Sequence, residues 1–252
     1  MKKQILFVII LMLGLGALCA YQSNSIGLFT PSSLDNLQGE LGLAHNFYGQ
    51  FNHKPLDTFL GSSMGANVNL SYRQHLVLGT EGKISYTSSN KKYELGGAWR
   101  YYKEEAPVKV QLDLTAASFI KEMSTKRTTD FGAMLSVQNK PLMDRLIFTL
   151  NAGYNTYYQR LATGVGAQVM LTDDLSLQGE FYPLLDDTNS SDNFYVVGHK
   201  SAFAFGLAYD LYGHTFAFNL GNDPYHHDTV GHALGTYTKG VLSLGFNIKR
   251  RL

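Results

Sequence analysis

From Leu37 to the C-terminus, apolar side chains recur at every second position in about twelve segments separated by turn-like residues. A period of two is the signature of a strand whose two faces meet different surroundings. Leu37 to Phe47 places Leu37, Leu41, Leu43 and Phe47 on one parity, and Ser62 to Arg73 places Met64, Ala66, Val68, Leu70 and Tyr72 there. The pattern continues through Leu76–Tyr86, Tyr93–Tyr101, Val108–Leu114, Phe131–Val137, Leu146–Tyr154, Leu161–Leu171, Leu175–Phe181, Phe203–Leu211 and Phe216–Leu220. It ends in Thr236 to Leu252, where Leu242, Leu244, Phe246 and Ile248 alternate with Ser243, Gly245 and Asn247.

Charge falls on the other parity. Glu40, Glu81, Glu94, Asp113, Asp130, Glu180 and Asp210 stand there against Arg73, Lys83, Lys92, Arg100, Lys109, Arg145 and Lys239, and no Asp, Glu, Lys or Arg is expected on the apolar side. A soluble sandwich with its apolar face inward would share this alternation. Three features favour a barrel with its apolar face outward. The segments reach about ten residues, the span of a tilted strand across a bilayer, whereas soluble strands average about five or six. Aromatic pairs such as Phe47-Tyr48, Tyr101-Tyr102, Tyr157-Tyr158 and Phe181-Tyr182 sit at segment ends, where an interfacial girdle places them. Connections alternate short (Arg73-Gln74-His75, Thr172-Asp173-Asp174, Tyr212-Gly213) with long (48–61, 183–200, 221–235). Hydrocarbon offers the backbone no hydrogen-bond partner, so such a sheet must close on itself. The expected fold is an all-β, antiparallel, up-and-down transmembrane barrel of about twelve strands, closed by the C-terminal strand, with both termini periplasmic.

The first twenty residues differ. Lys2 and Lys3 precede an apolar run from Ile5 to Leu18, then Cys19-Ala20 and polar Tyr21-Gln22-Ser23-Asn24. That order describes a secretory signal, and nothing later is apolar for the roughly 18 residues of a membrane helix. The organisation expected is therefore a signal peptide over 1–20, a periplasmic lead over 21–36 containing Thr30-Pro31-Ser32-Ser33, and an outer-membrane barrel over 37–252. Cys19 is the sole cysteine; cleavage after Cys19 or Ala20 removes it from the mature chain, while lipidation of Cys19 would require Leu18 in a place usually held by a small residue.

Composition narrows the function classes. A net charge of +1 over 252 residues lacks the clustered Lys and Arg that nucleic-acid binding needs. Aromatics at 13% and 25 glycines suit many strands and turns.

Leu70-Ser71-Tyr72-Arg73-Gln74-His75-Leu76-Val77-Leu78-Gly79, Tyr93-Glu94-Leu95-Gly96-Gly97-Ala98-Trp99-Arg100-Tyr101-Tyr102 and the ending Gly245-Phe246-Asn247-Ile248-Lys249-Arg250-Arg251-Leu252, preceded by Thr30-Pro31-Ser32-Ser33-Leu34, carry a likeness over most of the mature chain. The sequence resembles a domain-of-unknown-function family of outer-membrane β-barrels typical of Bacteroidota. Leu252 departs from the aromatic last residue common in such barrels. The resemblance implies an exported barrel, no established activity, and no catalytic residue to carry over.

Candidate chemistry is sparse. His226, His227 and His232 share a loop with Asp223 and Asp228. Imidazole and carboxylate are zinc-type ligands, but adjacent histidines in a Gly- and Pro-containing loop lack a rigid ligand spacing, and an exposed or lumen-folded loop is the simpler reading. His45 and Ser62 fall on the apolar parity near one end of neighbouring segments, an arrangement that resembles outer-membrane phospholipases and lipid A deacylases, in which histidine activates serine against an acyl ester. No third orienting group is evident, and interfacial His and Ser are common. Gly164-Val165-Gly166 belongs to a strand without a following helix, so it is no nucleotide loop; with Ala162 and Gly96-Gly97-Ala98 it leaves room inside the barrel.

The expected function is a non-enzymatic conduit or binding scaffold for small polar solutes, with outer-membrane lipid as its surroundings and no cofactor. The alternatives are a lipid-facing acyl hydrolase using Ser62 and His45, and a structural or surface-interaction barrel acting through loops 183–200 and 221–235.

Overall fold

The structure, a computed structural model, describes residues 26–31, 34–47, 51, 65–88, 91–101, 106–120, 126–157, 159–185, 201–222 and 242–252. Twelve strands follow one another: β1 (Gly39–Phe47), β2 (Ala66–His75), β3 (Thr80–Thr87), β4 (Lys92–Arg100), β5 (Val108–Ile120), β6 (Arg127–Asn139), β7 (Leu146–Asn155), β8 (Arg160–Met170), β9 (Leu175–Tyr182), β10 (Ala202–Leu211), β11 (His214–Gly221) and β12 (Ser243–Arg251). Each pairs antiparallel with its chain neighbours, and β12 returns to β1. That closing ladder runs from Glu40 opposite Arg251 to Asn46 opposite Gly245, so no strand edge is left open.

The two faces are inverted relative to a soluble protein. Outward-facing Leu70, Ile84, Leu95, Leu114, Leu150 and Phe218 are all exposed, while inward-facing Gln111, Asp113, Ser136, Gln138, Asn155 and Glu180 are buried. Polar side chains pack on each other inside, and the apolar belt has only hydrocarbon to meet. Aromatic pairs flank the belt: Tyr86 with Tyr93 at the long-loop end, ring centroids 5.0 Å apart, and Trp99 with Tyr101 at the short-turn end, 5.7 Å apart.

Two arginines break the expectation of an uncharged outer parity. Arg250 alternates with Phe246 and Ile248 at the short-turn end of β12, where it pairs with Leu41 and His214. Arg127 opens β6 at the opposite end, its guanidinium 4.9 Å from the Tyr93 ring centre and its Nη2 donating to the carbonyls of Lys91 and Ser118, both at 2.8 Å. Both are strand-end positions, where a long cationic side chain reaches the polar interface.

The short-turn end is built from tight connections. Tyr212 and Gly213 join β10 to β11 with φ of 47° and 79°, two consecutive left-handed residues as a two-residue hairpin with matching twist requires. At the other end not every connection is long: 88–91 joins β3 to β4 and 156–159 joins β7 to β8.

Leu114 lies midway along β5, exposed and flanked by Gly97 and Ala133. Leu114→Arg is expected to destabilise the barrel by about 2–4 kcal/mol if that position faces the bilayer centre. Urea unfolding in lipid vesicles reads this directly; an unchanged unfolding free energy would mean that the face is not in hydrocarbon.

Candidate functional site

The lumen holds part of the chain itself. Backbone N–H groups in irregular structure need acceptors wherever water is excluded, and inward side chains supply them here. The Glu180 carboxylate on β9 accepts from the N–H of Ile26 (2.6 Å), Gly27 (2.8 Å) and Leu28 (3.3 Å), and from the Tyr182 hydroxyl. Successive backbone N–H groups converging on one anion form a nest, and hydrogen bonds to a charged acceptor are the stronger kind. Asn151 on β7 then pairs with Phe29 as a strand neighbour would: its Oδ1 accepts from Phe29 N–H at 2.8 Å and its Nδ2 donates to Phe29 O at 2.7 Å. Asn247 on β12 donates to Ile26 O at 3.1 Å.

The apolar side chains of this segment fit where the wall lacks side chains. A Cβ on Gly166 would lie 2.4 Å from Leu28 Cδ1, one on Gly164 2.5 Å from Leu28 Cδ2, and one on Gly206 2.9 Å from Ile26 Cδ1. Leu28 clusters with Tyr182 and Ala202, and Phe29 packs on Met134 and Ala162. Phe29 also faces Lys83 on β3, with Nζ 5.7 Å from the ring centre, so the segment spans the interior from the β7–β10 wall to the opposite one. Toward the short-turn end Arg100 donates to Leu34 O at 3.1 Å, and Leu34 is buried. The lead read as periplasmic therefore has its residues 26–29 and 34 inside the barrel. Its pairing with inward polar groups is the physical reason.

The opposite wall carries charge in pairs. Glu40 accepts from Arg73 Nε at 3.0 Å, Asp113 binds Lys83 and accepts from Gln111 at 2.9 Å, and Lys92 meets Glu94 at 2.9 Å. Arg73 and Lys83 stand directly opposite each other on β2 and β3; like charges so placed repel, and the two carboxylates offset that. Between this wall and residues 27–30 lies a cavity of about 190 Å³ bordered by Glu40, Arg73, Lys83, Glu94 and Lys249.

The other expected lumen groups are spread along the wall. Glu81 faces His75 across β2 and β3, and both are buried. Asp130 accepts from Asn155 at 2.6 Å and from Tyr157 N–H at 3.1 Å, Asp210 accepts from the Thr215 hydroxyl, and Lys109 follows the inward parity at the start of β5. Arg145 is exposed in the turn before β7. Lys239, Ser62, His226, His227 and His232 lie outside the described residues. Lys249 and Arg160 face inward on β12 and β8 although neither was singled out from the sequence; extending each strand's parity to its last residue would have found both.

His45 points outward, its ring stacked on Phe246 (centroids 5.0 Å apart, 11° between planes) and edge-on to Phe47 at 4.6 Å. It forms part of an aromatic patch. Among the described residues no group of three His, Cys, Asp or Glu could hold a metal ion.

The family of membrane-bound β-barrel domains designated DUF5777 matches residues 36–252. The chain belongs to that family. No curated protein sequence matches it. Among solved structures, the fold is similar to that of the KdgM porin (TM-score 0.53, 9% identity, 84% of this chain and 98% of that one), the NanC porin (0.48, 11%, 84% and 97%) and the outer membrane phospholipase A of Escherichia coli (0.43, 10%, 85% and 90%). At such identities the likeness is one of fold alone: a porin-like barrel of the outer-membrane type.

Proposed function

We propose that the protein is a non-enzymatic outer-membrane conduit for small polar solutes, delivered there by the signal over residues 1–20 and narrowed by its own residues 26–31. The observation that carries this reading is the grip of Glu180, Asn151 and Asn247 on the backbone of Ile26, Gly27, Leu28 and Phe29. A polar, charge-paired interior suits hydrated solutes, and a short segment held by a few hydrogen bonds and two small apolar contacts can leave and return. The KdgM porin, whose fold this chain shares, has been solved in complex with disordered oligogalacturonate, which is a polar solute on a barrel of this fold.

The test is conductance across a planar bilayer. The full chain should pass small, intermittent currents, and a variant in which residues 26–31 are replaced by a Gly/Ser run should pass larger, steady ones. Silence from both proteins, each inserted and heat-modifiable on gels, would end the conduit reading.

A further inference from the structure

Three direct ion pairs stand on the charged wall: Glu40 with Arg73, Asp113 with Lys83, and Glu94 with Lys92. Lys249 is different. It projects inward from β12 into the same cavity, and among the described residues its ammonium has no hydrogen bond and no ion pair within 4.0 Å. The cavity is otherwise bordered by neutral hydrogen-bonding groups from Ser71, Ser85, Thr87 and Asn69. At about 190 Å³ it has room for a molecule of several heavy atoms, since one water occupies about 30 Å³.

We infer that this cavity is a binding site for a small hydroxylated carboxylate, with the Lys249 ammonium taking the carboxylate and the serine, threonine and asparagine side chains taking the hydroxyls. An ammonium that lacks a direct ion-pair partner in a partly desolvated cavity gains from an anion that completes a fourth pair. Glu40 borders the same cavity and is the foremost wall carboxylate acting on this ammonium, but it is paired with Arg73 and lies beyond direct pairing distance of Lys249, so a direct contact is left for a ligand. Residues 27–30 form one side of the cavity, so a bound solute touches the same segment that narrows the lumen. The inference rests on the conduit reading only for the route by which the solute arrives.

The probes are D-gluconate and sorbitol, which share a chain of hydroxyls and differ in one carboxylate. Calorimetric titration of the purified full-length barrel in detergent should show saturable binding of gluconate and at least tenfold weaker binding of sorbitol. Lys249→Met should weaken gluconate at least tenfold, and Lys249→Arg should restore most of it, with heat-modifiable gel mobility unchanged in both. Equal affinity for the two probes, no binding of gluconate, or full binding by the Met variant would each overturn the site. Because the titration needs no current, binding without conductance would sink the conduit and leave the site, while conductance without binding would do the reverse.

Discussion

Replacing Gly164 and Gly166 together by alanine is expected to drive residues 26–29 out of the lumen while leaving the barrel about as stable as before. Glycine weakens a strand, by roughly 0.5–1 kcal/mol relative to alanine. That gain offsets the closer contacts within the wall, where the new Cβ atoms would lie 3.2 Å from Tyr182 Cδ1 and 3.3 Å from Gly179 O. The segment loses, because the new Cβ atoms would lie 2.5 and 2.4 Å from the two terminal carbons of Leu28, far inside contact distance. Forcing a methyl group into a filled space costs about 1–3 kcal/mol, and two of them act on one leucine. A segment held by a few hydrogen bonds has less to lose by leaving than β8 has by bending. The measurement has two arms: single-channel current, expected to rise severalfold, and urea midpoint in vesicles, expected to hold. A lower midpoint with unchanged current would mean that the barrel, not the segment, yields.

The barrel was legible in the sequence because each strand separates two solvents. Lipid on one side and a wet interior on the other impose a strict period of two from Leu41 in β1 to Ile248 in β12, and a one-residue slip in any strand would turn a charge into hydrocarbon. The closing contact follows from that rule, since a strand in lipid cannot keep an open edge. The rule relaxes at strand ends, which is why Arg127 and Arg250 could face outward unforeseen: there the outer surroundings are headgroups.

The occupied lumen was not legible in the same way. Phe29 meets Asn151 across 122 positions of sequence and Ile26 meets Asn247 across 221, and Ile26-Gly27-Leu28-Phe29 has no periodicity to signal a partner. Its complement was visible without its meaning. Gly164, Gly166 and Ala162 stood out as room on the inner wall, and the paired charges as a balanced interior, but nothing in their spacing said that residues far upstream would fill that room. Lys249 was hidden for a related reason: in a terminal Lys-Arg-Arg run it reads as a basic ending, although β12 continues through it and turns it toward the cavity.

Glu180 is expected to decide whether the segment stays. Its carboxylate serves three backbone donors at once, and a buried donor left without an acceptor costs about 1–3 kcal/mol. Glu180→Ala removes the acceptor that these three donors share, so detachment into the wet part of the lumen becomes the cheaper state. Glu180→Gln keeps one acceptor oxygen and should hold the segment more weakly than the parent. A thiol placed at Thr30 in a Cys19→Ser background reports the difference, since Thr30 borders the cavity. Labelling by a membrane-impermeant maleimide should be slow in the parent, intermediate with Gln and fastest with Ala. A net loss of about 2–3 kcal/mol of restraint corresponds to roughly 30- to 100-fold faster labelling with Ala, at about tenfold per 1.4 kcal/mol. Equal rates in all three would mean that the carboxylate does not hold the segment, and would move the restraint to the packing of Leu28 against Gly164 and Gly166. The order of the three rates therefore separates an electrostatic latch from a steric one.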